Sequence, residues 1–270
     1  MESQTTSLLN GMRSSLRVSP LREKLGKWYF REVDMAGETT DSFDRIKLFF
    51  KRYPRFYYFL IEFLSPVYGD WRPFNCFLDS AAGMVLNLGS GNSPKRDGIV
   101  NLDMMDYENV DIVCDIHALP FKDNSIDAIM SLAVLEHVQD PVAVLKEVYR
   151  VLKPGGRVFS VIPFMQPFHA SPHDYQRYTL PGIDFLHQDF LKIASGAFSG
   201  PISGALWVLQ ECLASIFSLG FANIRNFLTI LLMCLTWPIK FLDIFALRLQ
   251  TAENVASTFY FHGEKPTNQG

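Results

Sequence analysis

Cysteine is scarce in this chain, and its few copies are dispersed. Among 270 residues there are four cysteines, with neither a Cys-x-x-Cys pair nor a group of histidines beside any of them. They are Cys76, Cys114, Cys212 and Cys234. Cysteines this far apart do not indicate a disulfide framework, and they do not have the spacing of zinc ligands. We therefore expect free thiols in a reducing compartment and no bound metal.

A surplus of charge of one sign is also missing. The chain has 25 Lys and Arg residues and 28 Asp and Glu residues, for a formal net charge of -3. Proteins that bind duplex nucleic acid usually present a basic surface, so nucleic acid is not expected as a partner. With 48% hydrophobic and 20% charged residues, the composition is that of a folded globular protein.

Long apolar runs are confined to one region. The N-terminal residues contain no run suited to the core of a signal peptide, so residues 1–40 are expected to be a cytoplasmic, partly disordered extension. Residues 201–250 are strongly apolar and helical in pattern, yet the run between Arg225 and Lys240 is shorter than the roughly 18 residues of a spanning helix. Three interpretations of this insert stay open: a helical cap, an interfacial membrane-binding element and a membrane span.

The middle of the chain alternates short apolar runs with turns. The runs MVLNLG, GIVNLDM, VDIVCDI, IDAIMSLA and RVFSVIP are typical of strands, and Asp140 with Pro141 is suited to begin a helix between the last two. Such strands predict an α/β fold with a parallel sheet covered on both faces, whose ligands bind beyond the carboxyl ends of the strands. We expect a core over residues 41–200, in which 41–69 form two helical pieces, and a last strand with a tail over 251–270.

The clearest motif is VLNLGSGNSP, in which a predicted strand runs directly into a Gly-x-Gly turn. Gly89 and Gly91 allow a tight turn and a close approach of the backbone to a ligand. Asp103 ends the second strand, where its carboxylate can accept hydrogen bonds from ribose hydroxyls. A nicotinamide cofactor would require a helix after the turn to receive its pyrophosphate, whereas NSPKRDG contains Pro94 and Gly98 and leaves too few residues for one.

Together these motifs resemble those of class I S-adenosylmethionine-dependent methyltransferases of the type 11 group, over roughly residues 80–180. VLNLGSG is similar to the glycine-rich first motif, NLDMM to the acidic second, and CDIHALPFKDNSIDAIMSLAVLEHVQDP with EVYRVLKPGG to the later ones. The resemblance implies a Rossmann-like, mostly parallel sheet of seven strands with helices on both faces. The apolar insert would precede its last strand.

The resemblance also implies a set of cofactor-binding residues. Gly89, Ser90 and Gly91 would lie along the methionine part, Asp103 would bind the ribose, and Asp115 with Ile116 would flank the adenine. The implied set is completed by Asn87, Met104 and Leu132. Asn87 departs from the family pattern, since many members have an acidic residue there.

The segment PFMQPFHASPHDYQRYT follows the fifth strand and is expected beside the transferable methyl group. Methyl transfer mainly requires alignment of the acceptor and, for a hydroxyl, removal of its proton. We predict that His169 or His173 is the base and that Asp174 orients it. His137, Arg177 and Tyr178 are predicted to hold the acceptor.

The acceptor is less well defined than the cofactor. The dense HDYQRYT segment and the apolar insert resemble bacterial enzymes of glycan and lipid pathways. The resulting hypothesis is methylation, at oxygen, of a small-molecule, glycan or lipid-linked acceptor by a cytoplasmic protein peripheral to the inner face of a membrane. Two alternatives remain: a quinone-type C-methyltransferase, and a membrane-associated nucleoside-binding protein without activity.

Overall fold

The structure is a computed structural model that describes residues 4–32, 63, 65–81, 83–169 and 173–267. The two helical pieces predicted over 41–69 lie mostly outside these residues. The described strands are β1 (Arg22–Lys24), β2 (Lys27–Tyr29), β3 (Val85–Leu88), β4 (Ile99–Asp103), β5 (Ile112–Val113), β6 (Ile126–Leu132), β7 (Leu152–Pro163), β8 (Leu191–Ser199) and β9 (Thr258–Glu264). The described α-helices are α1 (Gln4–Met12), α2 (Arg72–Ser80), α3 (Pro141–Val151), α4 (Leu180–Leu186), α5 (Pro201–Phe217), α6 (Ala222–Thr236) and α7 (Asp243–Ala246).

All nine described strands join one sheet, in the order β1-β2-β5-β4-β3-β6-β7-β9-β8. The strands from β2 to β7 pair in parallel, whereas β9 pairs antiparallel with both β7 and β8. The predicted Rossmann-like, mostly parallel sheet is therefore confirmed. The predicted number of seven strands is wrong, because a hairpin adds two more at one edge.

That hairpin comes from the predicted N-terminal extension. Leu25 and Gly26 form its two-residue turn with φ of 52° and 74°, the backbone that matches the twist of antiparallel strands. Trp28 and Tyr29 are buried in β2, and α1 buries Leu9 and Met12 against the same core. Burial of these four apolar side chains holds residues 4–32 on the domain.

Helices cover both faces of the sheet, as predicted. On one face, Val144 and Val148 of α3 pack with Leu86 of β3. On the other, Phe74 and Phe77 of α2 pack with Phe159 of β7. The start of α3 is fixed by its predicted cap, since the Asp140 side chain accepts the Ala143 amide at 2.9 Å.

The apolar insert is helical and lies between β8 and β9. The helical run Ala222–Ala246 is long and apolar enough to cross a membrane, with a mean hydropathy of 1.7, and 11% of the residues in its apolar 18-residue window are buried. It is longer than the sequence predicted, because the chain continues as a 3₁₀ helix through Pro238. Asp243 ties the insert together: its buried carboxylate accepts the backbone amides of Ile202 and Ser203 at the start of α5.

Candidate active site

The glycine-rich turn leaves β3 at the carboxyl edge of the sheet. Gly89 has a φ of 60°, and a Cβ there would lie 2.5 Å from Val134 Cγ1. Gly91 has a φ of 55°, but a Cβ there would meet nothing within 4 Å. Gly89 is thus required for packing of the turn against the loop after β6, whereas Gly91 borders open space.

Asp103 joins this turn to the end of β4. One carboxylate oxygen accepts the Gly91 amide at 2.7 Å and the other accepts the Met105 amide at 2.8 Å. Burial raises the pKa of Asp103, and the backbone hydrogen bonds from Met105 and Gly91 oppose that rise. Each oxygen keeps a further lone pair, so the carboxylate can still accept a hydrogen bond from a ligand.

A polar network, and no helix, supports the chain after the turn. Asn101 of β4 donates to the carbonyls of Ser93 and Asn109 at 3.1 Å, and the Asn109 amide donates to the Asn92 side chain at 3.0 Å. The Asn87 amide donates to Asn101 Oδ1 at 3.0 Å inside the sheet. Asn87 therefore uses its side-chain amide nitrogen to bind the neighbouring strand, and its predicted contact with the cofactor stays a prediction.

The other predicted cofactor residues follow the strands along the same edge. Ser90 donates its amide to the Leu102 carbonyl, and Met104 is 45% exposed directly after Asp103. Asp115 Oδ1 accepts hydrogen bonds from the backbone amide and from the ring Nδ1 of His117, both at 2.9 Å. Burial alone would raise the pKa of Asp115, but these hydrogen bonds outweigh burial and the pKa is lowered. Ile116 is buried, and Leu132 ends β6 partly buried against the α2 face.

The loop after β6 carries a buried carboxylate. Ala133 adopts a φ of 55°, a strained conformation for a residue other than glycine, and starts the turn that leads to the short helix Leu135–His137. Glu136 in that helix is completely buried, and no described residue donates a hydrogen bond to either of its carboxylate oxygens. An unpaired buried carboxylate is costly, so its presence calls for a functional explanation.

Two histidines face that carboxylate. His137 Nε2 lies 3.7 Å and His169 Nε2 lies 3.8 Å from Glu136 Oε1, too far for hydrogen bonds. Burial opposes protonation of His169, but the nearby Glu136 and the Pro167 carbonyl raise its pKa on balance. The His169 ring also contacts Trp207 of α5, with centroids 5.5 Å apart, so the cluster borders the apolar insert.

The predicted acceptor segment is organised by an ion pair. Arg177 Nη1 and Nη2 both donate to the Asp174 carboxylate, and Arg177 lowers the pKa of Asp174 to about 2. The remaining guanidinium hydrogens reach the carbonyls of Gln166, Pro167 and Gln176. Arg177 is therefore engaged within its own loop, and its predicted contact with the acceptor stays a prediction.

The other predicted residues of this segment also have partners within the protein. The closest approach of Asp174 to the His169 ring is 3.8 Å, so its carboxylate positions Arg177 and the His169 amide and does not orient an imidazole. His173 is exposed and contributes its backbone carbonyl to His137, while its ring lies beside Tyr175. Tyr178 donates its hydroxyl to Gln176 at 2.9 Å, inside the protein.

The structure thus brings together two predicted residues, His137 and His169, with a third that the sequence did not single out. Glu136 lies in the sequence LEHV, residues 135–138, near the end of the run that resembles the later methyltransferase motifs. A lone Glu in such a short apolar stretch gives no sign that it will be buried without a partner. Its neighbours in space come from a different loop, so residue spacing could not reveal the cluster.

Comparison with known proteins supports the predicted family. Residues 95–160 match the family model described as a methyltransferase domain. The ubiquinone/menaquinone biosynthesis C-methyltransferase UbiE of Desulfotalea psychrophila is 56% identical over 45 residues, 17% of this chain and 18% of that protein. The demethylmenaquinone methyltransferase of Renibacterium salmoninarum is 32% identical over 123 residues, 39% of this chain and 50% of that protein. The chain spans half the length or less of these two relatives.

Solved structures show a more distant likeness. The phosphoethanolamine N-methyltransferase 2 of Haemonchus contortus, in complex with S-adenosyl-L-methionine, is 18% identical with a TM-score of 0.44. The match covers 73% of this chain and 53% of that one.

Proposed function

We propose that this protein, whose residues 95–160 match the family model described as a methyltransferase domain, transfers a methyl group from S-adenosylmethionine to a small-molecule, glycan or lipid-linked acceptor, at oxygen. The observation that supports this most directly is the junction of Gly91 and Asp103. It presents an open glycine and a buried carboxylate side by side at the carboxyl edge of the sheet.

The cofactor suits this edge because it carries no phosphate. The chain after Gly91 forms turns held by asparagines, so no helix N-terminus is available there for a pyrophosphate. In our proposal Asp103 receives the ribose hydroxyls, Gly89 to Gly91 border the methionine part, and Asp115 and Ile116 border the adenine. Leu132 and Met104 complete the apolar wall.

The acceptor side is formed by the loops after β6 and β7. These loops contribute Glu136, His137 and His169, which offer one carboxylate and two imidazoles in a small space. Methyl transfer from a sulfonium needs an aligned acceptor and an outlet for its proton, and this cluster supplies both. Trp207 of α5 places the apolar insert directly beside it.

A lipid-linked acceptor is favoured by the exposed apolar surface of the insert. Helix α6 has no buried residues, and large apolar side chains are exposed along both α5 and α6. The most exposed apolar side chains of the insert are Ile216, Phe217, Leu219, Phe221, Phe227, Leu235 and Phe245, each at least 64% exposed. Large apolar side chains exposed in this number on neighbouring helices are typical of membrane contact. We infer that the insert docks on the inner face of a membrane and that the protein is otherwise cytoplasmic.

A second candidate function is C-methylation of a quinone. It is supported by the relatives named as ubiquinone/menaquinone and demethylmenaquinone methyltransferases. An apolar quinone would also suit a pocket beside the insert. The two candidates differ in their product, because a methyl ether and a ring methyl group are distinguished by mass spectrometric fragmentation.

The test begins with isothermal titration of the purified chain with S-adenosylmethionine and, separately, with NAD. We expect micromolar binding of the former alone; binding of NAD alone, or of neither, contradicts the proposal. Radiolabelled methyl transfer to bacterial lipid extract and to demethylated quinones then separates the acceptors. Cofactor binding without transfer to any extract would identify instead a nucleoside-binding protein without activity.

A further inference from the structure

The cluster of buried Glu136 with the half-buried His137 and His169 has the composition of a metal site. Two imidazoles and a carboxylate are the ligand set of open zinc sites, which leave a position for water or substrate. Their ligand atoms all lie within 4.8 Å of one another. They come from two loops that meet at the acceptor side of the proposed active site.

The tautomers of both histidines suit metal binding. His137 Nδ1 lies 2.5 Å from the His173 carbonyl, and His169 Nδ1 lies 3.0 Å from the Pro167 carbonyl. A carbonyl can only accept, so each Nδ1 carries the proton and each Nε2 presents a lone pair. Arg177 Nη2 lies farther from His169 Nδ1, at 3.3 Å, and already donates to Asp174. Backbone carbonyls that fix a histidine in this way are the usual outer partners of metal ligands.

The distances fit one ion. Glu136 Oε1 lies 3.7 Å from His137 Nε2 and 3.8 Å from His169 Nε2. A zinc ion bonds these atoms at about 2.1 Å, so it can bridge any pair separated by less than about 4.2 Å. The remaining pair, one ligand nitrogen of each histidine, lies within 4.8 Å. Shifts of a few tenths of an ångström in each ring bring these two nitrogens close enough to bind the same ion.

Charge points the same way. Glu136 is completely buried with two unpartnered carboxylate oxygens among the described residues, a condition that a bound cation relieves. The cationic side chain of Arg177, which lies 3.3 Å from His169 Nδ1, is neutralised by its double contact with Asp174. A divalent cation therefore meets a net negative site.

We propose that Glu136, His137 and His169 bind a divalent transition-metal ion of the zinc class. Imidazole nitrogens favour such ions over Mg²⁺ or Ca²⁺, which prefer oxygen ligands. Its part in methyl transfer rests on the proposed function: the open coordination position would receive an acceptor hydroxyl and lower its pKa, so that its proton would pass to solvent and not to the ligating imidazoles. The oxygen would then take the methyl group from the sulfonium, whose S–CH₃ bond breaks to leave S-adenosylhomocysteine. Metal binding itself requires neither the cofactor nor turnover.

The test measures metal binding by the untagged, chelator-treated full chain. Zinc is titrated in competition with a chromophoric chelator, and Co²⁺ is added separately to record its visible absorption, which is intense at four-coordinate sites. We expect one zinc ion per chain. In Glu136→Gln and in His169→Ala the affinity for zinc should fall by at least roughly 100-fold, which is more than the loss of a residue that only hydrogen-bonds to a metal ligand usually causes. His173→Ala is the matched control and should bind zinc as the unmodified chain does, because its ring lies outside the cluster.

Thermal unfolding shows whether each variant is folded before its zinc affinity is compared. Zinc should raise the Tm of the unmodified chain and of His173→Ala, but not that of Glu136→Gln. Absence of zinc binding by the unmodified chain, or equal binding by Glu136→Gln, overturns the proposal. Titration of the same metal-free protein with S-adenosylmethionine reports separately on the proposed function.

Discussion

Gly91 donates its backbone amide to Asp103 across the gap between the ends of β3 and β4, at 2.7 Å. Together with the bond from the Ser90 amide to the Leu102 carbonyl, it joins the two motifs from which the cofactor site is proposed. The Asp103 carboxylate therefore makes hydrogen bonds within the protein as well as those that we propose it makes to the cofactor.

Asp103→Ala should remove cofactor binding. The substitution deletes the proposed acceptors of the ribose hydroxyls, and hydrogen bonds to a charged group each contribute about 1.5–3 kcal/mol. We expect the affinity for S-adenosylmethionine to fall by at least about 100-fold in isothermal titration. Asp106→Ala, which alters a carboxylate bonded to Lys27 and Tyr29, is the control. Unchanged affinity in Asp103→Ala would remove this residue from the site.

Gly91→Ala and Gly98→Ala form a matched pair. Both glycines have positive φ, 55° and 77°, and a Cβ at either would meet nothing within 4 Å of the protein. Each substitution should therefore destabilise the fold by a similar amount, about 1 kcal/mol. Only Gly91→Ala places a methyl group in the proposed cofactor space, so only it should weaken S-adenosylmethionine binding. Equal affinity in the two variants would contradict the placement of the cofactor against Gly91.

Stability should fall in mild acid because of His187. Burial lowers the pKa of His187 to about 4, and its ring nitrogens contact the Ser160 hydroxyl and the Ile183 carbonyl at 2.9 Å. In the unfolded chain the histidine has its ordinary pKa of about 6.5 and binds a proton below that pH. Between pH 6.5 and 4 the unfolded chain therefore carries more protons than the folded protein, and acid favours unfolding. The stabilisation is complete above pH 6.5 and decreases by about 3 kcal/mol as the pH falls to 4.

Urea unfolding at several pH values tests this expectation. The variant His187→Gln keeps a polar side chain without a titration in this range, and its unfolding free energy should depend less on pH. Identical pH dependence in both proteins would show that another group is responsible. His262, also buried with a pKa lowered to about 4 by burial, is the first to examine in that case.

Replacing Phe217 and Phe221 by Glu should release the protein from lipid vesicles. Both flank the turn between α5 and α6 and are 66% and 64% exposed. Burial of one such ring contributes about 1.5–3 kcal/mol, so the double variant should bind vesicles at least about 100-fold more weakly in flotation assays. Phe185→Glu is the matched control, because Phe185 is 71% exposed on α4, outside the insert. Equal flotation of the double variant and the control would exclude this turn as the docking surface.

The sequence predicted the centre of the fold better than its edges. Strands β3 to β7 were evident because each is a short apolar run bounded by turn residues. The hairpin of β1 and β2 was missed because its turn begins with Leu25, and leucine rarely adopts positive φ. Strand β8 was missed because LKIASGAFS contains a central glycine and exposes its first residues.

For the site, the sequence located the loops but not the partners of each side chain. Asp103 and the glycines lie where the motifs predicted them. Asp174 and Arg177 form an ion pair with each other, and this pairing could not be predicted because it depends on the conformation of the loop. Glu136 acquires its surroundings only when the turn at Ala133 brings it towards His169, which lies 33 residues farther along the chain.

The position of β9 has a consequence for synthesis of the protein on the ribosome. Strand β9 lies between β7 and β8, yet it follows the whole apolar insert in the chain. During translation the helices of the insert therefore emerge while β7 still lacks its neighbour and β8 has no strand to join it to the sheet. At that stage the nascent chain exposes both an unpaired sheet edge and its most apolar surface. Early contact of the insert with a bilayer would protect the chain from aggregation until its last strand is made.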